Sequence, residues 1–209
     1  MSALRTLSHS CSLQEMQAFL ASCEPRIAIQ DFDKVGNKRH VDLYEELNGR
    51  EIDIYQDQDT GIARRRAKNV KGIIRNPAMD AVLVETSRTY LNGNTIPNFE
   101  GELPLEVFSF SETLHYLEKP LDGLLRGMRE ELKVKTEVLS RKRIQRTGLV
   151  TKHIRRSKAY AGMESEVQTY WFVIETVLLS PGIMIPFTRD SGVTINRRWY
   201  VNDKPFVAP

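Results

Sequence analysis

The 209-residue chain has little cysteine, no long apolar run and no large excess of either charge, and each shortage excludes a class of protein. Cys11 and Cys23 are the only cysteines, too few for a disulfide framework or a thiolate metal centre. With no secretory signal apparent ahead of them, both read as free thiols in a reducing, cytoplasmic setting. No apolar stretch approaches the ~18 residues of a membrane span; the longest, residues 171–179, is broken by Glu175, so a soluble chain is expected. There is no Gly-x-Ser-x-Gly nucleophile turn and no Gly-x4-Gly-Lys phosphate loop, and His9, His40, His115 and His153 lack metal-ligand spacing. A serine hydrolase of the elbow type, a P-loop enzyme and a histidine metal centre are therefore not indicated.

Ordinary glycine, proline and aromatic contents leave a chain able to build a core, as one domain with an extension or as two small ones. The acid-free, Ser-rich first 14 residues with Arg5 resemble an organellar transit peptide faintly. Against that, Ser12 and Glu15 have capping-box spacing and Leu13, Met16, Phe19 and Leu20 share one helical face, which predicts an ordered helix. The net charge of +3 conceals two acid-free basic runs. Residues 61–79 hold Arg64, Arg65, Arg66, Lys68, Lys71 and Arg75; residues 138–163 hold Arg141, Lys142, Arg143, Arg146, Lys152, Arg155, Arg156 and Lys158. Such runs attract nucleic acid or a phosphorylated small molecule, or else form solvated faces.

Residues 26–32, 39–47 and 51–55 carry alternating or β-branched apolar side chains, with Asn48-Gly49 as a hairpin turn between the last two. Asn76-Pro77 marks a boundary, so residues 1–76 read as an extension of short helix plus hairpin and residues 77–209 as the main domain. Residues 81–86, 148–154, 169–179 and 193–201 read as strands, and residues 92–104 as a surface loop. Pro120 followed by Leu121, Leu124, Leu125, Met128 and Leu132 at helical spacing predicts a helix over residues 120–133, with Arg126, Arg129, Glu130 and Glu131 on its polar side. Adjacent glutamates there are either two solvated acids or, on a helix docked by its leucine stripe, carboxylates held for a hard cation.

The segment from residue 112 to 134 resembles the signature of the Nudix hydrolases, G-x5-E-x7-R-E-U-x-E-E-x-G-U with U a bulky aliphatic. Glu118, Arg126, Met128, Glu130, Glu131 and Val134 match without a gap. Glu112 and Lys133 stand where the pattern has glycine, and Gly127 stands where it has the glutamate after the arginine. Gly162 and Glu166 look similar to the loop that, in the branch cleaving ADP-ribose and nucleotide sugars, precedes a sheet strand. The resemblance covers roughly residues 77–201 and implies an α/β fold: an α/β/α sandwich with a mixed sheet, preceded here by a β-rich extension that packs against it or mediates a homodimer.

It also implies a pyrophosphatase that uses Mg²⁺ or Mn²⁺ to hydrolyse a nucleoside diphosphate linked to another moiety, of ADP-ribose or nucleotide-sugar type. Glu130, Glu131 and Glu118 are then the expected metal ligands and Glu131 and Glu166 the catalytic pair, Glu166 supplying the carboxylate missing at Gly127 or the base. Arg126, four residues from Glu130, orients the helix carboxylates and joins Arg155, Arg156 and Tyr160 in the expected substrate set, with Tyr160 offered to a base. Gly127 points to the alternative, a catalytically weakened module binding nucleotide or RNA in regulation or assembly.

Overall fold

Local signals decide the helices, and non-local pairing decides the rest. The computed structural model describes residues 5–27, 29, 32, 38–89, 93–97, 108–133, 144–157, 159–176, 187–188 and 193–201. The fold is mixed α/β, strand-rich with few helices: ten strands and three helices among the described residues. No helix among them is long and apolar enough to cross a membrane. The chain forms two compact units that interleave in sequence. The first takes Met1–Asn69, Thr113–Glu118 and Thr151–Thr169; the second takes Val70–Glu112, Lys119–Val150 and Tyr170–Pro209.

In the first unit, helix α1 (Leu13–Ala21) begins at the capping box read from the sequence. Ser12 Oγ accepts from Glu15 N at 3.2 Å, and Glu15 Oε2 accepts from Ser12 N at 2.7 Å. Its Met16, Phe19 and Leu20 are buried. Strands β1 (Arg5–Thr6) and β2 (Ile52–Gln56) pair antiparallel, and β2 pairs with the start of β3 (Ala63–Asn76) in the register Ile54↔Arg65. Residues 40–48 differ from the expected strand: they are helix α2 (His40–Asn48), capped by Asp42 Oδ2 accepting from Arg39 N at 2.6 Å. The alternation of Val41 and Leu43 suggested a strand, but Leu43 and Leu47, four apart and both fully buried, set the helical period. Gly49 ends α2 and Arg50 takes φ 57°, so the expected hairpin turn instead joins a helix to β2. The core gathers Met16, Leu20, Leu43, Leu47, Ile54 and Tyr160 with both free cysteines.

In the second unit, β3 continues and pairs antiparallel with β4 (Ala81–Thr89) through Asn76↔Ala81, so the boundary expected at Asn76-Pro77 is the turn of this hairpin. β4 also pairs antiparallel with β5 (Thr95–Pro97) and β10 (Thr194–Val201), and β10 with β9 (Phe187–Thr188). The register shifts between Asn196 and Arg197. β6 (Phe110–Thr113) lays Phe110 over Gly72 of β3, where a Cβ would lie 2.2 Å from the ring. β7 (Ile144–Arg156) and β8 (Glu164–Glu175) pair with each other, and each passes between units in sequence. Trp171 of β8 is core, packed with Ile73, Val82 and Val84.

Helix α3 (Pro120–Leu132) forms as its leucine stripe and N-terminal proline predict. Leu124, Met128 and Leu132 are buried, and so are Gly123, Gly127 and Glu131. This corrects the expected polar side: Glu131 lies three residues after Met128 and four after Gly127, on the packed face.

Candidate functional site

α3 positions the box residues. Pro120 starts it and Lys133 ends it in the left-handed conformation, φ 53° and ψ 25°. That conformation suits glycine, the residue the box pattern puts at this position, so Lys133 keeps the glycine's backbone role without the glycine.

Gly127 is closely packed. A Cβ there would lie 3.0 Å from Glu112 Cβ and 3.1 Å from Phe110 Cε2, so any side chain at residue 127 would have to push these neighbours aside by a few tenths of an ångström. The two departures are therefore neighbours in space. Glu112, where the pattern has glycine, lies against Gly127, where it has glutamate. Arg126 Nη1 ties them into one charge group, 3.1 Å from Glu112 Oε1 and 3.5 Å from Glu130 Oε2. Arg126 thus lies within ion-pair distance of one helix carboxylate, Glu130, which is exposed.

Glu131 meets a guanidinium. Arg197 Nη2 donates to Glu131 Oε2, both side chains being buried, and Arg197 Nε donates to Ser109 O at 2.7 Å. Ser109, itself fully buried, accepts from Ile74 N at 2.8 Å and donates to Leu83 O. Across the β10–β4 ladder Arg197 stands opposite Glu85, a buried acid whose Oε1 accepts from Arg88 Nε at 2.7 Å. Arg197 and Ser109 were absent from the expected site. The signal for Arg197 was its alternation with Ile195 on an inward-facing strand edge of otherwise apolar character.

Other expected site residues belong to the first unit. Glu118 Oε2 accepts from His115 N at 2.9 Å and Glu118 N donates back to His115 O at 3.0 Å, closing the turn before α3. Glu166 is buried. Its carboxylate accepts from Tyr55 Oη, from Arg66 Nε at 3.1 Å and from Lys152 Nζ at 2.9 Å. Burial alone would raise the Glu166 carboxyl, but Tyr55, Lys152 and Arg66 outweigh it and hold it below its ordinary value. These partners favour the charged carboxylate.

Tyr160 corrects another expectation. It is fully buried, its hydroxyl donates to Glu46 Oε1 at 3.0 Å, and its ring packs edge-on to Phe32 at 5.5 Å, so it has no face for a base. Burial, and then the Glu46 charge, push its hydroxyl pKa up. The first basic run is also largely neutralised. Arg64 meets Asp57 and, at 2.8 Å, Glu164; Arg65 meets Glu46 at 2.8 Å; Arg66 meets Glu166. Lys71 lies 4.3 Å over the Phe108 ring and 4.7 Å over Trp171. In the second run, Lys152 is paired, Arg146 covers Tyr170 at 5.3 Å, and Arg155 and Arg156 are exposed on β7. Val134, Arg141, Lys142, Arg143 and Lys158 lie outside the described residues, as does most of the expected loop over residues 92–104.

The divalent cation that the box resemblance implies does not fit these side chains. Gly127 offers no carboxylate, Glu131 is matched by Arg197, and Glu130 shares Arg126 with Glu112. Among the described residues no group of three or more His, Cys, Asp or Glu side chains is placed to hold a metal ion.

No protein-family model and no curated protein matches the chain. Among solved structures, the chain is similar to the E. coli dihydroneopterin triphosphate pyrophosphohydrolase at 15% identity, over 64% of this chain and 80% of that one, with a TM-score of 0.45. It is also similar to a C. elegans Ap4A hydrolase in a binary complex at 10% identity, over 64% of this chain and 77% of that one, with a TM-score of 0.35.

Proposed function

We propose that this chain is a Nudix-type module that binds a nucleoside diphosphate derivative, with the box kept as scaffold and its metal-dependent hydrolysis lost. The observation that carries this reading is the buried Glu131–Arg197 pair on a helix face that packs through Gly127. A carboxylate neutralised by a fixed guanidinium does not serve as a metal ligand without stripping that cation of its partner inside the protein, which is costly. Support for a box in true register comes from Lys133 in the glycine conformation and from the Arg126–Glu130 pair.

The ligand class favoured is a small diphosphate over RNA, because Arg64, Arg65 and Arg66 are spent on internal carboxylates. Arg155 and Arg156, exposed on β7, are the cations of the second run from which a phosphate contact would come, one from each face of the strand. A second reading, hydrolysis of the same ligands with Mg²⁺ or Mn²⁺, is favoured by the in-register Arg126 and Glu130.

One experiment separates the two. The full chain is incubated with ADP-ribose, nucleotide sugars, dinucleotides, nucleoside triphosphates and capped RNA, with Mg²⁺ or Mn²⁺, while binding is followed by calorimetry. The proposal expects binding of a small diphosphate, weakened at least about tenfold, or 1.4 kcal/mol, by Arg155→Gln with Arg156→Gln, and no product above a protein-free control. Product release abolished by Glu131→Gln overturns it in favour of the hydrolase.

A further inference from the structure

We infer that Arg197 is the resident cation of α3, supplying to Glu131 the compensating positive charge for which the box pattern relies on a divalent metal. The inference rests on the proposed loss of metal chemistry and deepens it by naming what replaced the metal.

Four observations combine. The Glu131–Arg197 pair is almost wholly buried, with side-chain exposures of 3% and 2%, so neither charge is compensated by water and each requires the other. Arg197 is held in a built frame: its Nε donates to Ser109 O at 2.7 Å, and Ser109 is fixed by Ile74 N and Leu83 O on β3 and β4. The guanidinium is thus set in place by backbone as well as by Glu131. The alternation of β10 turns this side chain inward: Ile195 and Arg197 are buried, and the next residue, Arg198, is exposed.

The fourth observation is the contact between two of the departures from the pattern. Glutamate stands at 112 where the pattern has glycine, glycine stands at 127 where it has glutamate, and the two positions touch. Glu112, on β6, meets Arg126. The acids of this cluster are thereby divided between two arginines: Glu131 with Arg197, and Glu112 and Glu130 with Arg126. A cluster of carboxylates that calls for an external cation has become one that carries its own.

The test titrates Mn²⁺ into the full chain, following free Mn²⁺ by electron paramagnetic resonance and the melting midpoint in parallel. Compared are the unaltered chain, Glu131→Gln, Arg197→Met and the Arg197→Met/Glu131→Gln double variant. The expected result is no Mn²⁺ binding by the unaltered chain that Glu131→Gln removes, and no Mn²⁺-dependent rise in its midpoint. Arg197→Met melts lower and regains part of that loss with Mn²⁺, whereas the double variant is indifferent to it. Mn²⁺ binding by the unaltered chain that Glu131→Gln abolishes overturns the inference. Should Arg197→Met not fold, the comparison of the unaltered chain with Glu131→Gln decides alone. Failure of the proposed function is read separately: product release without Glu131-linked metal binding sinks the binding-module reading and leaves Arg197 as the cation.

Discussion

Replacing Gly127 with alanine tests whether the packed face of α3 is as tight as its geometry says. At an open helical position the change stabilises by about 1 kcal/mol, because glycine loses more backbone entropy on folding. Here the added methyl would lie 3.0 Å from Glu112 Cβ, 3.1 Å from Phe110 Cε2 and 3.3 Å from Glu112 Cγ, inside the ~3.5–4.0 Å of ordinary carbon contacts. Phe110 is fully buried and cannot swing away. Overpacking of this kind costs about 1–3 kcal/mol, so the net expectation is a loss of about 0–2 kcal/mol instead of a gain of about 1. The assay is urea unfolding followed by circular dichroism, run as a double-mutant cycle with Glu112→Gly. That second change removes two of the three contacts, and its own loss of the Arg126 pair cancels around the cycle. Gly127→Ala should then recover most of its intrinsic gain, giving a coupling of about 1–2 kcal/mol. A stabilisation near 1 kcal/mol in the unaltered background, or the same effect in both backgrounds, would refute the claim that Glu112 packs tightly against Gly127.

Gly72→Ala, whose Cβ would lie 2.2 Å from the buried Phe110 ring, should destabilise by at least about 1 kcal/mol in urea; an unchanged midpoint would show that β6 can lift off β3. Arg197→Met alone should cost about 3–5 kcal/mol by taking the guanidinium from the buried Glu131, and Arg197→Met/Glu131→Leu should cost less than either single change. Equal or additive losses in urea melts would contradict that account of the pair. Tyr160→Phe removes the hydroxyl that donates to Glu46 at 3.0 Å and should cost about 1.5–3 kcal/mol, read in the same assay. Glu46 and Glu166 are held below their ordinary 4.5, so the unfolded chain binds their protons more tightly than the folded one. Their stabilisation is complete above about that pH and is lost as pH falls through the folded values; Glu46→Gln with Glu166→Gln should flatten the acid limb of stability against pH, and an unaltered limb would count against the pairing.

Legibility in the sequence followed the range of the interaction. α1 could be read because Ser12 and Glu15 are three residues apart, and α3 because Pro120 and the leucine stripe lie within one segment. α2 was ambiguous because Val41, Leu43 and Leu47 fit both an alternating and a helical period over nine residues. The arginine triplet at 64–66 looked like a surface for polyanions because two of its carboxylates, Glu164 and Glu166, lie 100 residues away along the chain. Glu131 illustrates the same limit at the candidate site. A helical wheel places it beside Gly127, but only the folded position of β10 reveals Arg197, 66 residues further along the chain, as its partner. Likewise the three departures from the box looked like damage when taken one by one. In the fold Lys133 takes a left-handed conformation, and Glu112 and Gly127 lie in contact.

The central claim is that Glu131 answers to Arg197 and not to a metal, and a crystal structure grown in Mn²⁺ tests it most directly through anomalous scattering. The account predicts the Glu131–Arg197 pair intact, Arg197 Nε still on Ser109 O, and no anomalous peak within coordination distance of Glu131. A manganese peak on the Glu131 carboxylate, with Arg197 turned aside, would contradict it.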